Sequence, residues 1–403
     1  MTLYTYKDTE ENFFGYLAYG ANLRPLAAGG MRVHPRLSAR RMEALAETMQ
    51  YKQSILRVNV DGAKCGIAYD PASPGKREAI RRFIRFLAPH LNERLSLGPD
   101  MGTTFEEIEE IAREEGISSV KAAIGRAQGL TEGQVRQRLS LLDEEVGQLT
   151  LSERRAGHGV AHAALSAARA TALAGRPVSC ALQGFGTLGR GAALTLDEAG
   201  VAITAIADEN ECVRAEAGLP VAAMLASSAG SRLTEIAPEA EALPREAVLG
   251  ERSDLLVLAA CENALTDTSV DVIQASVVVV GANEGLAAEE YGRLTARGIL
   301  AVPDLVAGCG GSAAMDALFA PSALPTPAGV LDTVAATISS LVQQMLAEAK
   351  PETTSRDTAV RMARRSDLPV EDRPYGLRLL NSSQGDRREL HADSPDALAM
   401  HSR

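Results

Sequence analysis

The stretch VSCALQGFGTLGRGAALTLDEAGVAITAIADEN, residues 178–210, decides the fold. An apolar run reads as a buried strand, and an Ala/Leu-rich helix follows it. A second apolar run then ends at Asp208. Gly184, Gly186 and Gly189, with Thr187 and Leu188 between them, stand where the first strand hands over to the helix. A lone glycine triplet says little, but here every neighbour is in order. The glycines permit a tight turn and let a pyrophosphate approach the helix N-terminus, whose free N–H groups and dipole attract anions. Asp208 lies 19 positions after Gly189, close to the spacing that serves ribose hydroxyls. The reading is a dinucleotide site, with Asp208 favouring NAD over its 2′-phosphorylated form.

Working outward, "LLVLAA", "SVVVVGA" and "GILAVP" continue the pattern of buried strands alternating with helices. That pattern predicts a parallel sheet covered on both faces, a doubly wound Rossmann-type domain over 151–326. Residues 1–150 mix strands and helices, with amphipathic helices over 38–55 and 76–91 and a third opening at Thr104. They read as a separate α/β domain, which a closing helix over 327–349 joins. The fold class is thus two-domain α/β. After Pro351 the chain is polar and charged, and residues 351–403 read as a mostly disordered tail.

Composition narrows the function. A net charge of −11 without a basic block argues against nucleic acid as partner. The short apolar runs fall below the roughly 18 residues that span a bilayer, and the first residues lack a signal-peptide pattern, so a cytoplasmic protein is expected. Five cysteines and six histidines show no metal-ligand spacing, so no metal is expected.

Of 41 basic residues only six are lysine, at 7, 52, 64, 76, 121 and 350, so the chain writes a generic positive charge as arginine. Lys52 and Lys64 therefore look like positions where arginine would not do, because a lysine can lose its proton in a dry or electropositive pocket. Lys64 lies in RVNVDGAKCGIAYDP, residues 57–71, which reads as strand, tight turn at Asp61–Gly62, strand.

The segment from "LAAGGMRVHP" to "KCGIAYDP" resembles the substrate domain of the glutamate/leucine/phenylalanine/valine dehydrogenase family. That family has a Gly-Gly-x-Arg segment, a helix, a lysine, and then a glycine-rich turn carrying a second lysine. The likeness continues through "GPDMGTT", "ALQGFGTLG", "AACENALT", "VVGANEGL" and "GILAVPDLVAGCGGSAAM", spanning about residues 15–345. It implies that Lys64 is the catalytic lysine, which activates water. It further implies that Asp100 exchanges protons with the amino group, and that Lys52 holds the α-carboxylate beside Gly29 and Gly30. Ala260 and Asn283 join the cofactor-binding set.

The side-chain pocket implied by the resemblance falls on Ala28, Gly98, Ser312 and Met315. Glutamate-specific members have a lysine and a serine where this chain has Ala28 and Met315. A substrate γ-carboxylate would then lack partners, which points to a bulky apolar amino acid, branched or aromatic. The chain also departs from the family at Ala156, where threonine is usual, at Gly308, where asparagine is usual, and at Asp61, expected to bring a carboxylate near the lysines. The implied activity is NAD-dependent oxidative deamination to a 2-oxo acid by a homo-oligomer. The alternative is a non-catalytic NAD-binding regulatory or scaffold protein derived from this family.

Overall fold

The computed structural model describes residues 1–227, 230–260, 262, 264–265, 269–365 and 373–376. Five strands, β1 (Thr2–Lys7), β2 (Phe14–Tyr19), β3 (Leu26–Val33), β4 (Val60–Ile67) and β5 (Leu95–Pro99), form one sheet in the order β1-β2-β4-β3-β5. β1, β2 and β4 pair antiparallel, while β3 runs parallel to both β4 and β5. Helices α1 (Ala39–Ile55), α2 (Lys76–Glu93) and α3 (Phe105–Glu114) belong to the same half of the chain. Ser38 caps α1 by accepting from the Arg41 N–H, and Thr104 caps α3 by accepting from the Glu107 N–H.

The 57–71 segment differs from its reading. Residues 56–59 close α1 and leave it, and β4 runs without a turn through Asp61 and Gly62, every residue buried. Gly62 is glycine for a different reason. A Cβ there would stand 2.1 Å from the Gln50 backbone N, so α1 lies directly on the strand.

Beyond α4 (Ala122–Gln128), α5 (Glu132–Ser140) and a short ribbon of β6 (Glu145–Val146) and β7 (Leu149–Thr150), α6 (Leu151–Arg169) opens the second half. Its start is fixed by a capping box between Thr150 and Glu153. Seven strands follow: β8 (Ser179–Gln183), β9 (Ala202–Ala207), β10 (Cys212–Arg214), β11 (Glu241–Leu243), β12 (Leu255–Leu258), β13 (Val277–Val280) and β14 (Leu300–Val302). Their order is β11-β10-β9-β8-β12-β13-β14. The five from β9 to β14 are parallel as expected, and β10 and β11 add an antiparallel edge. α7 (Thr187–Glu198) crosses α6 so closely that a Cβ on Gly157 would lie 2.3 Å from the Ala192 N.

Helix Pro327–Ala347 is long and apolar enough to cross a membrane, a length the short apolar runs did not suggest. It buries Val330, Val334, Ile338, Leu341 and Met345 in the core. The tail reading also needs correction in part. Ser355–Arg364 is a helix, its start fixed by a capping box between Thr354 and Asp357. Residues 373–376 dock onto the body, with Tyr375 stacked beside Phe319 and exchanging hydrogen bonds with Gln128. The rest of the tail lies outside the described residues.

Candidate active site

Alternation along β4 puts Gly62, Lys64 and Gly66 on one face and Asp61, Ala63 and Cys65 on the other. Lys64 thus reaches over β3, where its Nζ stands 3.3 Å from the place a Cβ on Gly30 would take. Any side chain at 30 would crowd the lysine. Asp100, just past β5, meets the ammonium from the far side, Oδ2 to Nζ 2.7 Å. Arg32, two residues after Gly30 on β3, donates from Nε to the same Oδ2 at 2.8 Å. The side chains of Arg32, Lys64 and Asp100 are 4%, 4% and 9% exposed. Burial alone would push the Asp100 carboxyl up, but the two cations outweigh it and hold the group well below the usual carboxylate range. Asp100 is therefore an ionised acceptor locked between two charged donors.

Asp61 plays no part in this cluster, contrary to expectation. It lies on the opposite face of β4, accepts from the Leu23 and Arg24 N–H groups at 2.9 and 3.0 Å, and pairs with Arg94. Its carboxylate is a buried structural anchor.

Lys52, on α1, points at the nucleotide half. Its Nζ donates to Asn283 Oδ1 at 2.6 Å and to the Gly308 carbonyl at 3.4 Å, with Asp304 4.0 Å away. The departure at 308 has a geometric reason: a Cβ there would stand 2.7 Å from the Lys52 ammonium. Asn283, read as a cofactor residue, is thus the partner of Lys52. Further ties cross the cleft. Glu262 pairs with both Arg32 and Arg41, and Glu284 accepts from Arg41 and from Thr48. Arg32, Arg41 and Glu262 had no place in the sequence reading, although Arg32 is the arginine of the Gly-Gly-x-Arg segment.

Strand β8, the glycine turn and helix α7 follow one another in the order the fingerprint expects. Gly184 has φ +101°, and a Cβ there would sit 2.8 Å from the Ala260 backbone. A Cβ on Gly189 would lie 1.8 Å from the Gly184 carbonyl oxygen, so helix and turn touch. At Gly186 a Cβ would meet nothing within 4 Å, which leaves open space before the first turn of α7. A pyrophosphate fits that space. A cleft of about 1310 Å³ continues from it, lined among others by Gly184, Gly186, Asp208 and Ala260. Asp208 is fixed by accepting from the Asn210 and Glu211 N–H groups at 2.7 and 2.9 Å.

The side-chain pocket departs from expectation. Ala28 and Gly98 are small, as read, and Ser312 accepts from Gln53 Nε2 at 3.4 Å. The apolar lining, however, is broken by two cations. Lys121 Nζ stands 3.8 Å from the place of a Cβ on Gly98, and Arg155 Nη1 approaches Met315 Sδ at 3.9 Å. Lys121 is 8% exposed, and burial together with the charge of Arg155 pushes its ammonium down to about 7. Burial likewise pulls the guanidinium of part-exposed Arg155 down to about 10. Besides the polar Ser312, Lys121 and Arg155 thus stand near the small residues read as the side-chain pocket.

Two family models cover the chain. The Glu/Leu/Phe/Val dehydrogenase dimerisation domain matches residues 2–115, and the Glutamate/Leucine/Phenylalanine/Valine dehydrogenase model matches 147–364. The chain belongs to the glutamate/leucine/phenylalanine/valine dehydrogenase family. Within it, similar sequences include an NADP(+)-dependent glutamate dehydrogenase of Pyrobaculum calidifontis, 29% identical over 316 residues that make 75% of this chain and 71% of that one. A glutamate dehydrogenase of Thermotoga maritima is 27% identical over 75% of this chain and 71% of its own. Among solved structures, the hetero-hexameric glutamate dehydrogenase of Thermus thermophilus in its Leu-bound form superposes with a TM-score of 0.72 at 26% identity, covering 91% of this chain and 88% of that one. The L-tryptophan dehydrogenase of Nostoc punctiforme shares the fold, with a TM-score of 0.59 at 18% identity over 91% of this chain and 95% of its own.

Proposed function

We propose that this member of the family is an NAD-dependent L-amino-acid dehydrogenase, which reversibly converts a 2-amino acid to its 2-oxo acid and ammonia. One observation carries the reading. The buried Lys64–Asp100–Arg32 cluster faces the nucleotide half, and such a cluster has no use in a protein that only binds a dinucleotide. Lys52 would take the α-carboxylate. Asp100, ionised and fixed by Arg32, would accept a proton from the substrate amino group. Lys64, 2.7 Å from that carboxylate, would first release its own proton to solvent and, as the neutral amine, take one from the water that attacks the imine carbon. A bound nicotinamide supplies the hydride acceptor.

The preference for NAD rests on charge around the ribose end of the cleft. Asp208, Glu209 and Glu246 line it, and the arginines there are engaged, Arg190 with the Leu225 carbonyl at 2.6 Å and Arg245 with Glu246 at 2.7 Å. A 2′-phosphate would meet carboxylates. Ala28 and Gly98 leave room for a side chain of several heavy atoms. Homo-oligomer formation would use the open edge of β1, where Tyr4 and neighbouring Phe14 are 39% and 42% exposed.

The test is NADH oxidation with ammonia across 2-oxo acids of differing size and charge, with Lys64→Ala as control. Turnover that the substitution abolishes supports the reading. NADH binding without turnover of any 2-oxo acid would sink it in favour of a non-catalytic NAD-binding protein.

A further inference from the structure

Residues 373–376 dock where three elements meet. Asn59, fully buried just past α1, gives its backbone N–H to the Pro374 carbonyl at 2.9 Å and its side-chain amide to the Arg373 carbonyl at 3.0 Å. Gln128, the last residue of α4, accepts from the Tyr375 N–H at 3.1 Å and donates to the Tyr375 carbonyl at 3.2 Å, as a neighbouring strand would. On the helix Gly310–Phe319, Asp316 accepts from the Gly376 N–H at 3.0 Å, and Phe319 stacks on the Tyr375 ring.

The four residues are held as a bound peptide is held. Asn59, Gln128 and Asp316 are 0%, 5% and 6% exposed, and buried polar groups cost free energy when they go unpaired. Asp316 is the sharpest case. Burial pushes its carboxyl up to about 6, no cation pairs with it among the described residues, and the Gly376 N–H acts against the rise. Gly376 has φ +98°, in the left-handed region that glycine enters at little cost. The Tyr375 side chain is buried with the core of the second half rather than laid on its surface.

Each tethered element also bears on the substrate pocket. α1 carries Lys52 and, next to it, Gln53, which donates to Ser312 Oγ at 3.4 Å. α4 opens at Lys121, and the helix Gly310–Phe319 carries Ser312 and Met315, the latter adjacent to Asp316. α1 and α4 come from the first half of the chain and Gly310–Phe319 from the second. A segment bound to all three fixes how the pocket walls stand to one another.

We propose that residues 373–376 are a clasp that sets the spacing of the substrate pocket, with Tyr375 and Gly376 as positioning residues acting through Phe319 and Asp316. The effect on substrate rests on the dehydrogenase reading, whereas the hold on the helix does not.

The full-length chain is compared with Tyr375→Ala, Tyr375→Phe, Gln128→Met and Met315→Ala by hydrogen exchange and steady-state kinetics. In Tyr375→Ala the amides of Gly310–Phe319 should exchange about tenfold faster or more, while those of α7 keep the parent rate. The kinetic probe is whichever of 2-oxoglutarate, 4-methyl-2-oxopentanoate and phenylpyruvate the parent turns over best. Its KM should rise about tenfold, with kcat changed less than about threefold and the NADH dissociation constant within about twofold. Tyr375→Phe keeps the ring and should restore both readouts. Gln128→Met removes two tethers, keeps the ring, and should give the same pattern at about threefold, which serves if Tyr375→Ala does not fold. Tyr375→Ala and Met315→Ala together should raise KM by less than the product of their single effects, because both act at one helix. A full product, an unchanged exchange rate in Gly310–Phe319, or a KM that holds while only the thermal midpoint falls overturns the clasp. Faster exchange in that helix, with no acid turned over by the parent, supports the clasp and removes the dehydrogenase reading.

Discussion

Lys121→Met should stabilise the protein in the absence of substrate, and by an amount that depends on pH. In the unfolded chain this lysine titrates near 10.5, and in the fold burial and Arg155 bring it to about 7. Between those values the unfolded chain holds a proton that the folded chain does not, so stability rises with pH through the window. Below about 7 the full penalty is present. At about 1.4 kcal/mol per pH unit it is on the order of 5 kcal/mol. Methionine has nearly the length of lysine, no charge, and fills irregular apolar space well. The charged groups that act on the ammonium are Arg155 from α6 and Glu109 from α3, and neither changes in the variant. Unfolding by urea at pH 6.5 and pH 9 measures the effect. The variant should gain several kcal/mol at pH 6.5, and the gain should shrink by roughly 2–3 kcal/mol at pH 9. A variant less stable than the parent at pH 6.5, or a difference that ignores pH, would mean that the fold already compensates Lys121.

Arg32→Met should leave Asp100 with one cation in place of two, so its carboxyl rises from its depressed position. The acid limb of the kcat/KM profile should then move to higher pH, by an amount a purely structural loss would not produce. Gly186→Val should raise the NADH dissociation constant at least 30-fold while the thermal midpoint moves little, because a Cβ at 186 meets no protein atom within 4 Å. By contrast, Gly189→Ala puts a Cβ 1.8 Å from the Gly184 oxygen and should lower both cofactor affinity and stability. Asp61→Asn removes one partner of a buried ion pair and should cost about 3–5 kcal/mol in unfolding. Because Asp61 lies on the face of β4 away from Lys64, kcat of the folded variant should hold within about twofold.

The second half of the chain was legible because its signals are local. A strand, three glycines, a helix and an acidic residue are consecutive in sequence, and each states its own geometry through φ, close approach or charge. The first half misled where a glycine had two meanings. Asp61–Gly62 has the composition of a turn, yet Gly62 is small because the backbone of α1 presses on it, a contact made by residues twelve positions earlier. The helix at Ser355–Arg364 was missed for a similar reason. Its composition is that of a solvated tail, and what holds it is packing against distant elements, which composition does not report.

The site shows where such reading stops. Lys64 stood out because the chain spends so few lysines, and its motif then placed it. Lys121 belongs to the same set of six, so the same rarity argument pointed at it, but it sits in no motif and in a segment that reads as a charged spacer. Its role depends on which strand lies beneath it. That pairing sets Gly30 against Gly98, joining residues 68 positions apart, and no periodicity in the chain announces it. Once the pairing is known, the two glycines can be told apart. Gly30 keeps the platform clear beneath the Lys64 ammonium and against the Pro99 carbonyl, whereas Gly98 is not crowded by the Lys121 ammonium above it. A sequence that kept Gly98 for backbone reasons alone would tolerate alanine there, since a Cβ would meet Lys121 at an ordinary 3.8 Å. Gly98→Ala should therefore fold normally and still narrow the pocket, and its effect should fall on the KM for the longer 2-oxo acids before it falls on kcat.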